Sequence, residues 1–270
     1  MKKWIFVVVC CFFMQKAAQG QELFIQTEPA SNMATHSLGI RLNNEAFLAG
    51  NGFKTQYSPE LMYGASSIWM LHASAFLTNE YTQDYRFGGV NVYAKYRFLS
   101  RDALQKHFRM AVFGRISETF GQGLGKEVTI EGAYTGANIG LVATQLLHKL
   151  ALSATVTGTS LLANKQAPLS QGEALGYSLS AGYLLLPKTY NNYKQTNMNL
   201  YLEFLGKNQE AVSDGNRVAS FYLDASPGVQ FIIQSRARID LAWRMQLAGN
   251  MDRGYKNLLF LRLEYNIFNV

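Results

Sequence analysis

Long runs in which apolar and polar side chains alternate constrain this chain more than any other feature. Near the C-terminal end, Ala237, Ile239, Leu241, Trp243, Met245 and Leu247 alternate with Arg238, Asp240, Ala242, Arg244 and Gln246. After a polar turn across 249–256 the pattern resumes, with Leu261, Leu263, Tyr265 and Ile267 on one side and Arg262, Glu264, Asn266 and Phe268 on the other. Period two marks a strand with two unlike faces, because successive side chains point to opposite sides of a sheet. Strands of soluble domains are typically about five or six residues long. The runs here are close to double that, which matches the roughly 9 to 11 residues a tilted strand needs to cross a bilayer core.

The same pattern recurs along the chain and predicts twelve strands, near 35–43, 56–63, 67–77, 90–98, 108–117, 137–147, 150–157, 175–185, 197–205, 218–233, 237–247 and 261–268. Pro227-Gly228 inside the tenth predicts a bulge or kink. The connections then sort by length. Those near 44–55, 78–87, 119–136, 160–174, 206–217 and 248–256 are long, and those near 64–66, 99–106, 148–149, 187–196 and 234–236 are mostly short. Long loops on one side and short turns on the other are the habit of outer-membrane barrels, with the short turns in the periplasm. The expected fold is therefore all-β: a transmembrane antiparallel up-and-down β-barrel of about 12 strands, spanning 35–270. Its last strand pairs with the first to remove the open edge. Trp69, Tyr96, Phe98, Phe108, Tyr183 and Tyr265 fall at the periplasmic ends of outward faces, where an interfacial aromatic belt belongs.

Residues 1–20 have the form of a cleaved signal peptide. Lys2 and Lys3 precede an apolar run from Trp4 to Met14, and Ala18-Gln19-Gly20 forms a small-x-small site. Residues 21–34 are then expected as an N-terminal periplasmic segment. Cys10 and Cys11 are the chain's two cysteines and both lie in the leader, so a disulfide scaffold or thiolate zinc site in the exported chain is excluded. Removing Lys2, Lys3 and Lys16 from the 25 basic residues leaves 22 against 18 acidic ones, a net charge of +4. No basic stripe, zinc spacing or RNA-binding aromatic motif accompanies this excess, so nucleic acid is not an expected partner. Beyond the leader no run of about 18 apolar residues exists to form a spanning helix. Export to the bacterial outer membrane implies lipid, lipopolysaccharide and the outer-membrane assembly machinery as surroundings, and a small-molecule solute as the cargo.

Three stretches carry a family resemblance: Met62-Tyr63-Gly64 before a long alternating strand, Gly88-Gly89-Val90 leading to Tyr96-Arg97-Phe98, and Ser226-Pro227-Gly228-Val229-Gln230-Phe231 before the terminal pair. In these the chain resembles the outer-membrane barrels of the phenol-degradation meta-pathway type. The resemblance implies a channel for small, often hydrophobic molecules, and no catalytic residue or cofactor.

Charges on the polar strand faces are the candidate functional residues, because a charge at the lipid midplane costs about 2 to 4 kcal/mol and so points into the lumen. They are Lys95, Arg97, Arg109, Arg115, Arg238, Arg244 and Arg262, against Glu203, Asp240 and Glu264. Two readings stand side by side. One is a positive lumen that favours anions. The other is a paired network that fills and stiffens the barrel, with Arg238, Asp240 and Arg244 meeting Arg262 and Glu264 on the adjacent strand. The functional expectation is a passive channel or transporter for small hydrophobic or anionic solutes. The alternative is a structural or interaction barrel with a plugged lumen.

His72-Ala73-Ser74 invites comparison with outer-membrane phospholipases, since an imidazole beside a serine hydroxyl can generate a nucleophile. No Asn-Gly follows the serine here, and strand parity turns both side chains into the lumen, away from lipid. The chain is accordingly not read as an enzyme. Gly121-Gln122-Gly123-Leu124-Gly125-Lys126 lacks the spacing and the hydroxyl of a phosphate loop and is expected as an extracellular loop at the pore mouth.

Overall fold

The computed structural model describes residues 24–49, 52–80, 84–104, 106–120, 126–162, 169–189, 194–213, 215–268 and 270. The signal-peptide stretch and Gly121, Gly123 and Gly125 of the glycine-rich loop lie outside these. Twelve antiparallel strands form a closed barrel: β1 (Ser37–Ala49), β2 (Gly52–Tyr63), β3 (Trp69–Thr78), β4 (Arg86–Ala103), β5 (Lys106–Thr119), β6 (Gly136–Leu147), β7 (Leu150–Leu161), β8 (Gln171–Leu186), β9 (Asn197–Ser213), β10 (Asn216–Ile233), β11 (Ala237–Gly249) and β12 (Asn257–Phe268). Each pairs with its sequence neighbours, and β12 closes on β1 from Ser37 opposite Phe268 to Ala46 opposite Leu259. No edge is left to template another chain.

The two faces follow the alternation. Ile239, Leu241, Trp243, Leu263, Tyr265 and Ile267 are exposed on the outer wall, while Arg238, Asp240, Arg262 and Glu264 are buried inside. This is the reverse of a water-soluble protein and is the arrangement that hydrocarbon surroundings require. Trp69, Phe98, Tyr183 and Tyr265 ring the short-turn end on the outside, and the Trp69 and Tyr96 rings lie 4.9 Å apart. Phe53, Phe87, Phe120 and Trp243 are exposed toward the opposite end.

Several strands run past their expected limits. The β1–β2 ladder continues to Ala49 opposite Gly52, and the β9–β10 ladder to Ser213 opposite Asn216. Main-chain pairing does not depend on side-chain polarity, so a hairpin in register goes on beyond the apolar belt that made it visible in the sequence. The irregularity expected at Pro227-Gly228 lies elsewhere. Both residues keep register with β9, opposite Leu202 and Tyr201, and the register shift against β11 falls between Leu223 and Asp224. Proline only interrupts the β11 ladder, where the pairs pass from Ala225 to Gly228 without a slip.

Candidate functional site: a chamber inside the barrel

Residues 24–34, expected as a segment in the periplasm, lie inside the barrel in its short-turn half. Phe24, Ile25 and Ala30 are fully buried. An irregular segment in such a place must find partners for its main chain, and the wall supplies them. The Glu203 carboxylate on β9 accepts the amide hydrogens of Ile25, Gln26 and Thr27 at 2.8, 2.7 and 3.1 Å, with hydroxyls of Thr27 and Ser180 at 2.7 and 3.0 Å. Lys95 on β4 donates to the carbonyls of Pro29 and Ser31, both at 2.8 Å. The Ala30 amide donates to Thr144 Oγ1 at 2.9 Å. The Phe24 ring meets Tyr201 edge-on at 5.8 Å, in an apolar cluster with Ala242, Leu258 and Phe260. Gly228 makes room for the segment: a Cβ there would stand 2.6 Å from Ile25 Cδ1. Glu28 closes the arrangement with Arg41 at 2.9 Å. Burial opposes its charge, but Arg41 and then Lys95 overcome that and hold its carboxyl well below the usual range.

The long-loop half is narrowed by two further insertions. Between β5 and β6, the Val128 amide donates to Gln209 Oε1 at 2.7 Å, and Lys207 Nζ donates to Glu127 at 2.6 Å and to the Val128 carbonyl at 2.9 Å. Val128, Ile130 and Tyr134 pack on Leu161, Ala174 and Ala211 of the wall and on Leu169 just before β8. Glu131 pairs with Arg115. Between β11 and β12, Arg253 grips Asp224 through both guanidinium ends at 2.7 and 2.8 Å and lies 3.9 Å over the Tyr222 ring. Burial works against the charge of Glu127 too, yet Lys207 and Arg244 lower its pKa. At the same mouth, burial and the neighbouring Glu127 push Glu80 up to about 7, with Lys54 only partly offsetting them.

A chamber of about 300 Å³ remains between these constrictions. Thr27 and Glu28 form one boundary, Val128 to Glu131 the other, and Arg41, Glu60, Tyr93, Phe113, Arg115 and Arg262 are among its side walls. One rung of the sheet explains its electrostatics. Glu60, Arg41, Glu264 and Arg238 are direct cross-strand neighbours on β2, β1, β12 and β11, and their charges alternate in sign. The contacts are 3.3, 2.9 and 3.1 Å in that order. The next rung sets Arg262 opposite Asp240 at 3.4 Å.

Eight of the ten charges singled out from the sequence, Lys95, Arg115, Glu203, Arg238, Asp240, Arg244, Arg262 and Glu264, line or close this interior. Arg97 and Arg109 lie instead at the short-turn rim, where Arg97 reaches the Ser67 carbonyl at 2.6 Å and Arg109 pairs with Asp102 at 3.0 Å. Arg238, Asp240, Arg262 and Glu264 interlock, but Arg244 does not join them: it bonds Asp224 on β10 at 2.7 Å. The sequence reading missed Arg41, Lys207 and Arg253, and with them Glu28, Glu60, Glu127, Glu131 and Asp224. These additions replace an excess of positive charge with a set of close ion pairs. Parity could have found Arg41 and Glu60, which alternate with Ile40, Leu42 and Leu61. The inserted residues carry no such period.

His72 is buried on the inner face, with Nδ1 2.5 Å from Glu60 and its ring 4.8 Å from that of Tyr93. Ser74 shares that face and borders the chamber. Among the described residues no group of three or more His, Cys, Asp or Glu side chains is placed to hold a metal ion.

No protein-family model matches the sequence, and no curated protein matches it. Solved structures do. The COG4313 outer membrane channel from Pseudomonas putida F1 aligns with a TM-score of 0.60 at 12% identity, over 90% of this chain and 100% of that one. The NanC porin aligns with a TM-score of 0.48 at 9% identity, over 86% and 100%. At such identities the likeness concerns the fold.

Proposed function

We propose that this chain is an outer-membrane channel for small solutes whose passage is gated from within, by residues 24–34 on the periplasmic side and by the inserted connections on the other. The observation that carries this reading is the chamber of about 300 Å³ bounded on two sides by chain that is not part of the barrel wall. A purely structural barrel has no need of an unfilled, polar interior. The outward apolar face and its two aromatic rings support residence in the membrane, and the sorted loops support the bacterial outer membrane. The fold shared with a solved outer-membrane channel supports the same reading, as does the resemblance to the phenol-degradation barrels.

The solute class follows from the walls. Tyr93 and Phe113 offer aromatic faces, their rings 5.6 Å apart, beside Arg115 and the alternating row of Glu60 and Arg41. That surface fits a small molecule with a flat apolar body and one polar or ionised end, admitted singly. Because the buried charges are paired, the selectivity between anions and cations is weak.

Planar-bilayer recording of the purified barrel is the test. Stepwise conductance that rises when residues 24–34 are released supports the channel. Silence both with the segment seated and with it released leaves the plugged interaction barrel as the function.

A further inference from the structure

The segment inside the barrel is held chiefly by its main chain. Glu203 is fully buried and takes three consecutive amide hydrogens. Convergence of successive amides on one carboxylate is the geometry of a peptide nest, set up here by the bend at 25–27 and by the positive φ of 63° at Phe24. Lys95, also fully buried, takes two carbonyls of the same segment. Thr144 takes a further amide, and the Met33 amide lies 3.5 Å from the Met70 sulfur. Side chains add specific demands: apolar groups at Phe24 and Ile25, a carboxylate at Glu28 for Arg41, and hydroxyls at Thr27 for Glu203 and at Ser31 for Arg109.

We propose that the periplasmic half of the lumen is a binding site for polypeptide, occupied in this structure by the chain's own residues 24–34. Amides and carbonyls are common to every peptide, so the site takes any unfolded segment that presents two adjacent apolar residues and, three positions after the second, an acidic one, with hydroxyls where Thr27 and Ser31 stand. The occupant is exchangeable because it hangs on the wall by a single turn at the exposed residues Thr35 and His36, and because most of the connections at that end are short turns. A segment of a partner protein in the periplasm is then a competing ligand, and the barrel is a receptor as well as a channel. Peptide binding goes beyond the channel reading and is measured without any conductance.

The test uses the full chain with a protease site inserted between Ala34 and Thr35, folded first, then cut and washed free of the released segment. A fluorescently labelled peptide of residues 24–34 is titrated in and followed by anisotropy. Saturable binding is expected, weakened about tenfold or more by Glu203→Gln, the scale of one lost charge-assisted hydrogen bond. On the unaltered wall, a peptide N-methylated at Ile25, Gln26 and Thr27 should lose about as much. A peptide carrying Gln26→Ala should bind within about threefold of the original, since the buried amide nitrogen of that side chain has no hydrogen-bond partner. No saturable binding to the cut barrel overturns the proposal, and so does an N-methylated peptide that binds as tightly as the original. Because both peptides are measured on the same folded barrel, the result stands even where Glu203→Gln fails to assemble. Conductance of the cut barrel without peptide decides the channel reading separately.

Discussion

The carboxylate of Glu203 and the amide of Ile25 meet at 2.8 Å across 178 positions of sequence. Their contact ties the irregular chain before β1 to the opposite wall of the barrel. Glu203→Gln keeps the size of the side chain and removes its charge. A charge-assisted hydrogen bond contributes about 1.5 to 3 kcal/mol, so the ratio of open to closed lumen should rise by at least about tenfold. Open probability in single-channel recording checks this, and an unchanged value would show that the segment is held by its apolar contacts alone.

Gly228→Val attacks the same seat from the packing side. Its Cβ would fall 2.6 Å from Ile25 Cδ1 and 3.0 Å from Ala242 Cβ, so either the segment or the β10–β11 wall must yield. The segment is the softer of the two, being outside the ladder. The expected outcome is a folded barrel with raised conductance, and protease sensitivity newly acquired within 24–34, read by N-terminal sequencing of the fragments.

Arg41 is the residue on which interior stability turns. It contacts Glu28, Glu60 and Glu264 at 2.9, 3.3 and 2.9 Å. Arg41→Met leaves these buried carboxylates without that cation, a loss on the order of 3 to 5 kcal/mol. The midpoint of urea unfolding in detergent should fall accordingly. Adding Glu28→Gln to the variant should recover part of the loss, because without Arg41 the Glu28 carboxylate keeps only the longer ion pair with Lys95 at 3.8 Å.

Glu80 makes the mouth sensitive to pH. Its pKa is pushed up to about 7 from the ordinary 4.5, by burial and by Glu127. The folded state thus holds this proton more tightly than the unfolded chain does. The resulting contribution to stability is present in full below about pH 4.5 and is lost as pH rises through about 7. Glu80→Gln mimics the protonated form. Its melting temperature should match that of the parent at pH 4 and exceed it at pH 8; the opposite order would show that Lys54 holds Glu80 ionised.

The Lys207 and Glu127 pair, at 2.6 Å, anchors the other constriction. Lys207→Met removes the donor to both Glu127 and the Val128 carbonyl. The size limit in liposome swelling should move to larger sugars, and the melting midpoint should fall, because the buried Glu127 carboxylate loses its nearest cation.

All twelve strands were legible because period two is imposed along each strand wherever hydrocarbon lies on one side and polar groups on the other. Ile239, Leu241 and Trp243 against Arg238, Asp240 and Ala242 is an example that needs no partner to be recognised. Pairing between adjacent strands was legible for the same reason, and Arg262 with Asp240 follows from hairpin register. What the sequence did not show was anything set by contact between distant, aperiodic segments. Phe24 to Ala34 carries no alternation, and its destination depends on where Glu203 and Lys95 end up once the barrel has closed. Val128 and Glu127 present the same difficulty. The roll of inner charges was incomplete because several of the partners, Glu28, Glu127 and Glu131 among them, come from such segments, and others from strands whose inner faces were not followed.

The single turn at Thr35 and His36 has a topological consequence. The chain that blocks the lumen precedes the first strand and is not a loop held at both ends between strands. It can therefore slide out without breaking one interstrand hydrogen bond or opening the β1–β12 seam. Eleven residues fully extended reach about 36 to 40 Å. Once withdrawn, the segment is long enough to extend well beyond the short-turn end of the barrel, as a tether, while the wall it left stays intact.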